Sequence, residues 1–66
     1  MSHQVVIVAG GDESRAYQLI RALMPEGGRE HEGEEVTYTV PPDLIEAVVV
    51  ALVHEQIRFR YVPPWP

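Results

Sequence analysis

The sequence predicts an α+β fold, a small two-layer sandwich of helices against one sheet. Three observations lead there. Val5 to Ala9 (VVIVA) is an unbroken apolar run closed by Gly10 and Gly11; Glu35 to Val40 and Gln56 to Val62 alternate apolar with polar residues; and both intervening stretches carry apolar residues at helical spacing.

The run Val5 to Ala9 suits a strand covered on both faces or lying at the centre of a sheet, and is read as the central strand. Asp12 is then placed to cap a helix, with Glu13 beside the positive end of its dipole. Ala16, Leu19, Ile20 and Leu23 recur at i, i+3, i+4 and i+7, which makes one stripe and leaves Arg15, Gln18 and Ala22 outside. Pro25 ends the helix by holding Met24 in extended geometry. From Pro25 to Glu35 the chain is polar and glycine-rich (PEGGREHEGEE). It reads as a loop holding at most a stub strand, Arg29 to Glu32, paired with the next strand across a type II′ turn at Gly33-Glu34.

In the strand Glu35 to Val40, Val36, Tyr38 and Val40 face one way and Thr37 and Thr39 the other. Pro41 and Pro42 stop the ladder and open a helix, because proline is tolerated where an amide has no intrahelical partner. The segment Ala47 to Val53 is β-branched enough to be a buried strand. Asp43 to Glu55 nevertheless runs without glycine or proline, a length ordinary for a helix and long for a strand. Leu44, Val48, Ala51 and Leu52 form its inward stripe, and Val49, Val50 and Val53 share the other side with Glu46. The last strand, Gln56 to Val62, sets Ile57, Phe59 and Tyr61 against Arg58 and Arg60. Residues 63–66 (PPWP) cannot extend a sheet and read as a polyproline-like tail on a single domain, 1–62.

If both helices cover one face, the other carries Thr37, Thr39, Arg58 and Arg60, and the order of elements fits a ferredoxin-like plan, βαβ(β)αβ, with a degenerate second strand. The alternative is a three-stranded parallel βαβαβ unit. A doubly wound version would bury the arginine face under a helix.

Composition narrows the function classes. A 66-residue chain buries only about 60% of its unfolded surface, so added core from a second copy is the natural supplement where cysteines are absent. A net charge of -5 disfavours nucleic acid as a partner, and the arginines and aromatics of the last strand lie on opposite faces, whereas base stacking needs the aromatics on the open one. The longest uncharged apolar run falls well short of the roughly 20 residues that span a bilayer. No basic leader opens the chain, and we expect a cytoplasmic protein.

No catalytic residue, cofactor or metal ligand is nominated. Ser14 has no nucleophile elbow around it, and His31 among Glu30, Glu32, Glu34 and Glu35 sits in a loop that does not converge ligands. Gly10, Gly11 and Asp12 join a strand to a helix start, where free amides can hold an anion, but neither dinucleotide nor P-loop spacing is present and Asp12 would repel such a ligand. The sequence therefore points to a non-enzymatic interaction or regulatory module, a homodimer whose helix face Val49, Val50, Val53 and Glu46 meets a second copy or a protein target, with Trp65 folded back or swapped. Two alternatives accompany it. One is a small acidic inhibitor, of the kind a phage encodes, that offers Glu30, Glu32, Glu34 and Glu35 to the basic nucleic-acid site of a larger enzyme. The other is an anion or nucleotide sensor at the Gly10-Gly11 turn.

Overall fold

The β-branched run near the start of the chain forms β1 (His3–Val8), an interior strand of a four-stranded sheet. In the computed structural model, which describes residues 2–65, there follow α1 (Gly11–Leu23), β2 (Gly28–Glu32), β3 (Glu35–Val40), α2 (Ile45–His54) and β4 (Arg60–Val62). Met1 and Pro66, the outer ends of the expected 1–62 domain and 63–66 tail, lie outside the described residues. The sheet runs in the order β2-β3-β1-β4, and each neighbouring pair is antiparallel. This overturns the parallel βαβαβ alternative. A two-residue turn from β2 to β3 forces antiparallel pairing, and β3 and β4 then flank β1 on either side.

The register fixes which side chains face the helices. Val5 lies opposite Tyr38 on one side and Tyr61 on the other, and Ile7 lies opposite Val36. Val5, Ile7, Val36, Tyr38 and Val40 pack against Ala16 and Ile20 of α1, Val48 and Leu52 of α2, and Ile57 in one core, so both helices cover the same face. Val6, Thr37 and Arg60 share a row on the opposite, open face. A radius of gyration of 10.7 Å matches the roughly 11 Å expected for a compact chain of this length. The protomer already has a closed core.

Four local expectations change. The second strand is a full five-residue β2 and starts at Gly28, not a stub; Gly33, at φ +61, turns it into β3 while Glu34 keeps negative φ, as a II′ turn requires. Asp12 does not cap α1. Gly10 occupies that position at φ +141, a conformation open essentially to glycine alone, and its carbonyl accepts from the Glu13 and Ser14 amides. Helix α2 begins at Ile45 after a turn over 42–44, so the two prolines precede the helix instead of forming its first turn.

The largest change is at the end of α2. Gln56 takes φ +58, its amide donates to the Val53 carbonyl at 3.0 Å, and the Ile57 amide donates to Leu52 at 3.0 Å. That pair of bonds is a Schellman cap, with Gln56 where glycine is usual and with Ile57 and Leu52 supplying its apolar contact. Because the cap consumes these residues, the last strand shrinks from the expected Gln56 to Val62 to Arg60–Val62.

Candidate functional site

Helix α2 is one place where the fold leaves apolar surface exposed. Val48 and Leu52 are fully buried beneath it, while Val50 and Val53 are 60% and 61% exposed. Val49 is half-buried, and Glu46 and Ala47 are exposed. Val50 and Val53, three positions apart, share the outward side of the helix. Glu46 lies one turn before Val50, and the Nδ1 of the exposed His54 lies 3.5 Å from a Glu55 carboxylate oxygen.

The tail packs against the start of β1. The Trp65 ring stands edge-on to His3 with centroids 6.1 Å apart, and His3 stacks on Tyr61 at 5.7 Å, its Nδ1 2.5 Å from the Tyr61 hydroxyl. Trp65 is therefore docked on its own domain, at the β1–β4 side of the sheet, with 56% of its surface still exposed. Pro63 and Pro64 fix that placement by ending β4 after Val62.

A second locus was not expected. Tyr38 is fully buried, and its hydroxyl donates to Glu13 Oε2, while Arg29 donates through Nε to the same hydroxyl at 3.3 Å and through Nη2 to both Glu13 oxygens at 3.2 Å. Tyr17 lies between two cations, the Arg29 guanidinium at 5.2 Å and that of Arg21 at 5.4 Å. Burial pushes the Tyr38 hydroxyl up to about 12, the bond to Glu13 adding to it and Arg29 opposing it. The Arg29 guanidinium is itself raised, by its bonds to Tyr38 and then to Glu13. At neutral pH the phenol keeps its proton, and each polar group of the trio is already paired. The arrangement fastens α1 to β2 and β3. One signal for it was present in the sequence: a tyrosine in an inward-facing strand row needs a partner for its hydroxyl.

The Gly10-Gly11-Asp12 turn borders a groove of about 470 Å³ whose wall includes Arg58. Asp12 faces Arg15 across 3.7 Å and is exposed. The acidic residues are not a single loop: Glu30 and Glu32 belong to β2, Glu34 to the turn and Glu35 to β3, where it lies 3.5 Å from Arg60. Among the described residues, no group of three His, Asp or Glu side chains is placed to hold a metal ion. The chain matches no protein-family model, no curated protein and no solved structure. Nor is any helix among the described residues long and apolar enough to cross a membrane.

Proposed function

We propose that this chain is a non-enzymatic protein-interaction module, homodimeric, built on a ferredoxin-like plan, with the valine face of α2 as its docking surface for a partner protein. The strand order and the placement of both helices on one face support the plan. One observation carries the docking surface: Val50 and Val53 stand about three-fifths exposed on a helix whose inner side is already fully packed. A protomer gains nothing from these side chains, whereas covering each by a partner is worth up to about 1.5–3 kcal/mol.

The test is affinity purification from the native host with the wild-type chain and with a Val49→Glu/Val53→Glu variant. The reading expects a protein that binds the purified wild-type chain directly and loses the variant. Equal binding to both contradicts it.

A second reading, the acidic inhibitor, is favoured by the complete exposure of β2, which presents Glu30 and Glu32 along a free sheet edge. Its complex with a basic site would weaken steeply as salt rises, and the valine contact would not.

A further inference from the structure

The open face of the sheet carries charges that complement themselves, and we propose that it is the surface on which two copies of this chain pair. The inference rests on the homodimer reading above and names its interface, leaving α2 free for the partner protein. Arg60, Val6, Thr37 and Glu30 form one row across β4, β1, β3 and β2. Val8, Glu35 and Glu32 form the next, and Arg58 lines the hollow above Val6 and Val8. One border of the face is basic and the other acidic. Among the described residues, Arg58, Glu30 and Glu32 make no ion pair, and Arg60 meets only Glu35, at the long distance of 3.5 Å.

A twofold axis parallel to the strands, passing between β1 and β3, exchanges β4 with β2 and β1 with β3. It places Arg60 against Glu30 of the second copy and Arg58 against Glu32, and the symmetry repeats both pairs. Between them Val8, 65% exposed, is covered by the aliphatic stem of Glu35 from the other copy, while Val6 is already buried within its own protomer. The usual crossing of about 30° between packed sheets keeps these rows in reach of one another. Other occupants fit worse. A polyanion is repelled by the β2 border, a basic partner by the β4 border, and a purely apolar one leaves both borders bare. A partner that satisfies the whole face must carry the same gradient reversed, and a second copy turned about that axis does so.

Sedimentation velocity on five samples decides it: the wild type, Arg58→Glu/Arg60→Glu, Glu30→Arg/Glu32→Arg, an equimolar mixture of those two, and Val49→Glu/Val53→Glu. All the substituted charges are exposed, and far-UV circular dichroism checks that each variant is folded. The expected pattern is a dimer for the wild type and for the valine variant, monomers for each charge variant alone, and a dimer regained in the mixture. Charge variants that still dimerise, or a mixture that stays monomeric, overturn the proposal. If the valine variant alone dissociates, the sheet interface falls and α2 is the dimer contact. A wild type that is monomeric at every concentration removes self-association altogether and leaves the partner-binding role of α2 to its own test.

Discussion

The two helices lie side by side on the same sheet face, yet they finish their surfaces in opposite ways. Along α1, Glu13, Tyr17 and Arg21 recur one turn apart, and each is committed: Glu13 to Tyr38 and Arg29, Tyr17 between two guanidinium groups, and Arg21 to the carbonyls of Met24, Pro25 and Gly27 at 3.3–3.5 Å. Arg15 reaches across to α2 and donates to the Glu55 carbonyl at 2.5 Å, a cation at the negative end of that helix. Along α2 the outward side carries Val50 and Val53, each about three-fifths exposed, beside Glu46, Ala47 and His54. A helix whose side chains satisfy one another within the protomer is finished. One that is apolar beyond what its core requires has surface to spare for another molecule.

The contrast makes its largest expected effect at the buried side of α2. Leu52→Ala removes an anchor shared by the core and the Schellman cap, and should cost about 2–5 kcal/mol in a denaturant titration. If it costs no more than a surface change, α2 is not held by packing as described. On the α1 side, Glu13→Ala strips the buried Tyr38 hydroxyl of its acceptor and should cost about 1–3 kcal/mol.

The same corner sets an alkaline limit. The pKa of Tyr38 is higher in the folded protein, at about 12, than the usual 10 of the unfolded chain, so its contribution is whole below pH 10 and is lost as pH rises through about 12. Chemical denaturation across that window should show roughly 2–3 kcal/mol of loss that Tyr38→Phe abolishes. An unchanged slope in the phenylalanine variant would mean that another group is responsible.

Smaller effects sharpen the description of α2. Gln56→Gly relieves a left-handed backbone at the cap and should raise stability by about 0.5–1 kcal/mol. Val50→Glu and Val53→Glu should each change it by less than about 0.5 kcal/mol, since neither side chain enters the core. A thermal melt that drops sharply for either would show that these valines support the protomer after all.

Much of this arrangement was readable in the residues, for reasons that are local. The alternation of Val36, Tyr38 and Val40 with Thr37 and Thr39 is a two-residue period and survives in β3 unchanged. Val48 and Leu52, four apart, mark the buried side of α2, and the glycine of the Gly33-Glu34 turn marks a hairpin. What escaped is either long-range or a matter of backbone conformation. Glu13, Arg29 and Tyr38 are 16 and 25 positions apart along the pairs they make, so no periodicity could join them. Gln56 adopts positive φ without being glycine, so nothing announced the cap that shortens β4. Asp12 resembles a helix cap in sequence, but the extreme φ of Gly10 had already placed the turn two residues earlier. The exposure of Val50 and Val53 was expected from the helical wheel, and Trp65 stands edge-on to His3 of its own chain.

Sedimentation equilibrium of the unmodified chain over a wide range of concentration and salt addresses the central claim most directly. A mass that rises to twice that of the protomer, and falls back as salt is added, is the result the charge pattern of the open sheet face predicts. A mass equal to one 7.4 kDa chain under every condition would contradict it.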